Sequence, residues 1–265
     1  MTELQFIETI LGETGDYIRE NYRNRNNLEV NAKAHANDFF TAVDITVQKQ
    51  MVSRIRDSFP KDAILAEESG LDIYPDHIPD RCWAVDPIDG TQNFLRGLFP
   101  AFGVSIALME QGRTVAGGVL MPISGDLFLA EAGKGAIRNG NPITVTSIAD
   151  LSMARVDLDF DGPKMRSDII RFAGNIMQKA GQIRSYSCSV VGFCGVAAAE
   201  QDVYMVLGVN VWDVAAGLLI VEESGGKVTR FDGSPFNLFD SRKDVLVTNG
   251  IIHAACLKEI AITEP

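Results

Sequence analysis

No apolar run in the sequence approaches the roughly 18 residues that cross a bilayer. Its start, Met1-Thr2-Glu3-Leu4, has neither the basic opening nor the apolar stretch of a secretory leader, so a cytoplasmic protein is expected. Lysine and arginine never cluster, and their total of 24 against 35 acidic residues leaves a net charge of −11. That balance argues against a basic face for nucleic acid or anionic membrane, and neither is expected as a partner. Cysteine is sparse. Cys82, Cys188, Cys194 and Cys256 lie mostly in apolar contexts and form no CxxC pair, so buried free thiols are expected rather than disulfides or a zinc site. The three histidines, His35, His77 and His253, are scattered and form no HExxH, so nothing points to zinc hydrolysis. Internal repeats and low-complexity tracts are missing too. What remains is the composition of an ordinary folded chain, 46% hydrophobic and 22% charged over 265 residues, enough for one large domain or two small ones.

The chain is organised around Trp83-Ala-Val-Asp86-Pro-Ile-Asp89-Gly-Thr91-Gln-Asn-Phe94. Cys82 to Val85 reads as a short buried strand ending on Asp86. Pro87, which has no N–H, is expected to stop the ladder there, and Gly90-Thr91 opens a turn into a helix. Two carboxylates at one strand mouth with no cationic neighbour favour a bound hard cation such as Mg²⁺. Free N–H groups after Gly90 and Thr91 would meet an anion beside it, which suggests phosphate chemistry. Taken alone, the same residues are also a plain strand-to-helix turn with two caps.

Two more acidic junctions follow the same design. Ala63 to Ala66 is a short apolar strand ending in Glu67-Glu68-Ser69-Gly70, and Val211-Trp212-Asp213 starts a strongly apolar helix through Glu223. Earlier, Thr2 and Gln5 fit a capping box for a helix running to about Arg23, with a strand near 28–33. A helix from Asp44 to Phe59 follows, with Asp44 read as its cap. Between the central stretch and Asp150, strands at 101–109, 114–121 and 126–132 joined by tight turns imply antiparallel pairing. The pattern restarts with a strand from Ser152 to Leu158, a helix from Pro163 to Ala180, a small-residue helix from Ser189 to Ala199, strands at 202–207, 227–230 and 245–248, and a last helix from Ile251 to about Ile260. A boundary near 140–150 divides an N-terminal α+β subdomain, 1–145, from a C-terminal α/β subdomain, 146–265.

Two other motifs carry less. Asp157-Leu-Asp159-Phe-Asp161-Gly162 matches the opening of a calcium loop, but Lys164 stands where such loops have an apolar residue. The same DxDxD resembles an aspartyl-phosphate nucleophile, which belongs first in its chain, so a strand end and helix cap is the better reading. Cys188 lacks the arginine six residues on that a cysteine-dependent phosphatase needs; Cys194 is there instead.

Together the three acidic junctions resemble the inositol monophosphatase family, the magnesium-dependent, lithium-sensitive phosphatases related to fructose 1,6-bisphosphatase. Its W-x-x-D-P-I-D-G-T-x-N-F stands at Trp83 to Phe94, its E-E-S at Glu67 to Ser69, its W-D-x-A-A-G at Trp212 to Gly217, and its D-x-x-T-x-x-D at Asp38, Thr41 and Asp44, with Lys33 at the basic position upstream. The resemblance covers about residues 4 to 260. It implies an α+β chain layered as an αβαβα sandwich, commonly a homodimer. It further implies that Glu67, Asp86 and the Ile88 carbonyl hold one Mg²⁺, that Asp86, Asp89 and Asp213 hold a second, and that a third, weaker ion leans on Glu67. Thr91, bonded to Asp44, would act with Glu67 to orient and activate the attacking water. N–H groups of Gly90 and Thr91 would bind phosphate, and Glu68 stands behind Glu67. Ser187, Cys188 and Ser189 and an acidic residue seven before the last aspartate would contact the alcohol. That acidic position is Val206 here. Valine accepts no hydrogen bond, so inositol 1-phosphate is a default among small polyol and sugar phosphates. Fructose 1,6-bisphosphate, histidinol phosphate and nucleotide 3′-phosphates are alternatives. A silent phosphate-metabolite or metal-binding protein is the rival from another class, against which Glu67 and Thr91 are both present.

Overall fold

The computed structural model describes residues 1–28, 30–32, 39–68, 79–97, 100–160, 163–241 and 244–261. In chain order α1 (Glu3–Arg23), β1 (Val30–Ala32), β2 (Phe39–Thr41) and α2 (Ala42–Ser58) lead into β3 (Ala63–Ala66), β4 (Arg81–Asp89) and α3 (Thr91–Arg96). Then come β5 (Gly103–Glu110), β6 (Arg113–Met121), β7 (Asp126–Glu131), β8 (Ala136–Arg138) and β9 (Asn141–Pro142). The remainder is β10 (Arg155–Leu158), α4 (Pro163–Lys179), β11 (Gln182–Arg184), α5 (Ser189–Ala197), β12 (Val203–Leu207), α6 (Val211–Glu223), β13 (Lys227–Thr229), β14 (Asp244–Thr248) and α7 (His253–Glu259).

Strands β3 to β9 form a seven-stranded sheet in sequence order, while the other large sheet has the order β11-β10-β12-β14-β13. Three cores stack these into five layers. Phe6, Ile7, Leu11 and Met51 of α1 and α2 cover one face of the seven-stranded sheet. Phe193 of α5 with Ala216 and Ile220 of α6 fill the space between the sheets, and Ile169, Ile176 and Cys256 of α4 and α7 cover the far face. The order is therefore αβαβα. Helix α1 buries Phe6, Ile7, Ile10, Leu11, Thr14 and Ile18, a single stripe at helical spacing, and starts at the Thr2–Gln5 capping box.

Backbone contact replaces side chains where β6 crosses the middle. A Cβ at Gly117 would lie 3.0 Å from the Ala216 Cα of α6, and one at Gly118, on the opposite face, 2.7 Å from Ile7 of α1. Thr114 adds a buried hydrogen bond from its hydroxyl to the Ala215 carbonyl, at 3.0 Å. Helix α6 is thus seated directly on the seven-stranded sheet.

Three sequence expectations are corrected. β4 does not end at Asp86 but continues to Asp89, because Pro87 sits in a bulge: Asp86 pairs with Ser105 and Asp89 with Gly103, three steps against two. Thr41, not Asp44, caps α2, and Asp44 is its capping-box partner. Residues 151–153 form a 3₁₀ turn, so the strand expected from Ser152 begins at Arg155. The four cysteines are free and buried.

His253 fixes the start of α7. It is 2% exposed, with its two ring nitrogens 3.0 and 2.9 Å from the Thr229 and Thr248 hydroxyls. Burial pulls its pKa down from the ordinary 6.5 to about 4. Below pH 6.5 the unfolded chain binds a proton that the native one refuses, so this contribution to stability is present above pH 6.5 and lost as pH falls toward 4. A His253→Gln variant is expected to flatten that part of the pH dependence of Tm.

Candidate active site

The register of two strands brings the first pair of carboxylates together. β3 and β4 are parallel with Ala66 opposite Val85, and the Glu67 N–H continues the ladder to Val85 O at 3.3 Å. Glu67 therefore emerges beside Asp86, and their side chains hydrogen-bond. The bulge brings the third. Residues three apart on a strand normally face opposite ways, and one extra residue restores Asp86 and Asp89 to the same face. Asp213, in the first turn of α6, completes the group from the C-terminal half.

Asp86 is 1% exposed. Its carboxyl is pushed well above the usual range, first by burial and then by the charges of Glu67, Asp89 and Asp213. Each neighbour is held from its own side. Val190 N–H donates to Asp89 Oδ2 at 2.6 Å and Asn210 N–H to Asp213 Oδ2 at 2.6 Å. The Val190 bond is notable because Cys188 caps α5 without a side-chain bond. Asp89 supplies that cap from the other half of the chain.

Asp44 is fully buried and its carboxyl is raised, mainly by burial, against the opposing bonds from Thr41. Its Oδ2 accepts the Thr41 N–H (2.7 Å) and hydroxyl (2.6 Å), and its Oδ1 lies 3.3 Å from the Thr91 hydroxyl. That hydroxyl is also 3.0 Å from the Ile88 carbonyl. Gly90 has φ +83°, and a Cβ there would lie 3.0 Å from Ala101 O and 3.1 Å from Cys188 Sγ, so only glycine lets the two loops meet. Ser187 (φ +50°) and Cys188 lead into α5, and Ser189 is buried at its first turn. Burial and the neighbouring Asp89 hold the Cys188 thiol well above its ordinary value, so it is no thiolate nucleophile. Val206 is 3% exposed on β12. Lys33, Asp38 and Ser69 lie outside the described residues, as does Asp161.

Gln48 was not foreseen. It is 3% exposed, one turn beyond Asp44, and its Oε1 accepts the Glu68 N–H at 2.7 Å, which pins the end of β3 to α2. The i, i+4 spacing from Asp44 is the only trace of this in the sequence. Asn93 was also missed as a clamp: its amide donates to Ala101 O (2.8 Å) and Tyr186 O (2.7 Å), tying α3 to the approach of α5.

Among the described residues no three His, Cys, Asp or Glu side chains stand in ready ligand positions, since these carboxylates are turned toward one another and toward backbone N–H groups. The donor set still fits a hard divalent cation. It is all oxygen, and its central member is buried among like charges that a cation would neutralise. Among the described residues no helix is long and apolar enough to cross a membrane.

Comparison with known proteins agrees with this arrangement. The profile of the inositol monophosphatase family matches residues 2–263. The chain is 33% identical to the fructose-1,6-bisphosphatase/inositol-1-monophosphatase of Thermotoga maritima over 98% of its own length and 96% of that protein. It is 37% identical to the Nus factor SuhB of Pasteurella multocida over 83% of this chain and 82% of that one. Among solved structures, the Thermotoga maritima IMPase superposes with a TM-score of 0.86 at 32% identity, covering 97% of this chain and 96% of the other. Fold, profile and relatives agree that the chain belongs to the inositol monophosphatase family.

Proposed function

We propose that the protein is a Mg²⁺-dependent phosphomonoesterase acting on inositol 1-phosphate or a similar small polyol or sugar phosphate. The observation that carries this reading is the convergence of Glu67, Asp89 and Asp213 on the buried Asp86, beside the Thr91–Asp44 pair. Glu67, Asp86 and the Ile88 carbonyl would hold one ion, and Asp86, Asp89 and Asp213 a second. Bound Mg²⁺ would supply Lewis-acid polarisation of the phosphoryl group and charge for the leaving oxygen, and Glu67 would also hold a weaker third ion.

The protein's own groups do the rest. Thr91 donates a hydrogen bond to Asp44, which leaves the lone pairs of the Thr91 oxygen to accept from the attacking water, and Glu67 takes the water's proton. Glu68 supports Glu67 through the backbone bond to Gln48. N–H groups of Gly90 and Thr91, with Lys33, hold the phosphate, and the 187–189 turn faces the alcohol. A homodimer is part of the same reading by kinship.

The test is phosphate release from inositol 1-phosphate, fructose 1,6-bisphosphate, histidinol phosphate, a nucleotide 3′-phosphate and glycerol 2-phosphate with Mg²⁺, with EDTA, and with added Li⁺. Turnover that EDTA stops is expected. Silence on every ester in Mg²⁺ would shift the weight to a binding protein that keeps the scaffold. The relative named Nus factor SuhB carries no activity in its name. The net charge of −11 weighs against grip on nucleic acid through charge alone.

A further inference from the structure

Two groups have to meet on one water molecule in the reading above, and they belong to different elements. Thr91 opens α3, whereas Glu67 follows the end of β3. The Thr91 hydroxyl lies 3.3 Å from Asp44 Oδ1, so its partner is on α2. What places Glu67 is a matter of strand geometry.

β3 is four residues long and stands at the end of the seven-stranded sheet, where among the described strands it pairs with β4 alone. The Glu67 N–H points to β4 and reaches Val85 O at 3.3 Å. Along an extended chain the next N–H points the opposite way, toward the open side of an end strand. There it meets α2. Gln48 Oε1 accepts the Glu68 N–H at 2.7 Å, a shorter bond than the one that holds Glu67 to its own sheet.

Gln48 is buried, as are its helix neighbours Val43, Val47, Met51 and Ile55, which anchor α2 in the core beneath the seven-stranded sheet. Asp44 and Gln48 lie one turn apart on this buried side, about 6 Å along the axis. A single turn of one rigid helix therefore holds both halves: Asp44 the Thr91 hydroxyl, and Gln48 the backbone beside Glu67. Glu67 is in turn near enough for its charge to act at Asp44.

We propose that Gln48 is a positioning residue for the hydrolytic step: through the Glu68 N–H it sets the Glu67 carboxylate against the Thr91 hydroxyl, so that α2 is the gauge on which the two are aligned. The assignment rests on the phosphomonoesterase reading above, and it adds to that reading a residue with no ligand or acid–base part in it.

The experiment measures kcat and KM on the full chain at saturating Mg²⁺, for p-nitrophenyl phosphate and for the polyol or sugar monophosphate that the wild type cleaves best. Gln48→Met keeps the bulk of the side chain and removes the acceptor. It is expected to lower kcat on both esters by roughly tenfold or more with KM little changed, because misplacing a reacting group by part of an ångström acts on the rate. Gln48→Ala carries the same test should the methionine variant not fold. Gln48→Glu, which keeps both length and acceptor, is expected to recover most of the lost kcat. The deciding readout is a double-mutant cycle. Placed on Glu67→Gln, where the base is already gone, Gln48→Met is expected to cost less than about threefold more. A loss that repeats in full on that background would make Gln48 merely structural, and a Gln48→Met kcat equal to wild type would remove it from the reaction; either overturns the proposal while the phosphatase reading stands. A wild type silent on every ester in Mg²⁺ overturns that reading and this proposal with it.

Discussion

Glu67→Gln is expected to lower kcat for monoester hydrolysis by about 10²–10⁴-fold, the range a positioned general base supplies, while circular dichroism and Tm stay close to wild type. The backbone of Glu67 is fixed by its N–H bond to Val85 O and by the neighbouring Glu68–Gln48 bond, neither of which needs the side chain. Glutamine keeps the length and still hydrogen-bonds Asp86, but it cannot take a proton from water. A variant that retains more than about a tenth of wild-type kcat would show that the base is elsewhere, because even the lower end of general-base contributions is about a hundredfold.

Asp86→Asn separates activity from stability in opposite directions. Turnover is expected to fall to the EDTA background at any Mg²⁺ concentration, since the residue proposed to serve both ion sites has lost its charge. In EDTA, however, the variant melts higher than the wild type. Asp86 is buried with three carboxylates acting on it, so an ionised side chain there is uncompensated. Asparagine removes that repulsion and can still accept the Ile88 N–H that Asp86 Oδ1 now takes at 3.0 Å. Mg²⁺ at 100 times its Kd should stabilise the wild type by about 2.7 kcal/mol, several degrees at roughly 2–4 °C per kcal/mol for a chain of this size. The Asn variant should not respond. Calorimetry with and without Mg²⁺ reads both effects, and an Asn variant that melts lower in EDTA would mean that Asp86 is held by contacts rather than strained by charge.

The sequence was informative where local rules decide the outcome. The bounds of α6 followed from an apolar run closed by Ser224-Gly225-Gly226, and α1 from its cap and stripe. The identities of the acidic junctions were equally legible, because each sits where an apolar strand or helix begins or ends. Pro87 misled because a missing N–H says only that one ladder bond is lost. Whether the strand stops or bulges is decided by β5, whose pairing resumes at Gly103. The parallel pairing of β10 with β12, which puts Leu158 opposite Met205, leaves no local mark in the sequence.

Gly117 has no part in the chemistry, yet it meters it. At the neighbouring Gly118 an added methyl group meets flexible side chains that can rotate away. At Gly117 it meets the backbone of α6 at 3.0 Å, so the helix must give by a few tenths of an ångström. Asp213 rides on the end of that helix, whereas Asp86 belongs to the sheet. A displacement of an ångström between reacting groups can cost a hundredfold in rate. Gly117 therefore acts as a spacer of zero thickness between the two halves of the carboxylate group. The constraint at Gly117 is one of distance, at a position with no chemistry of its own.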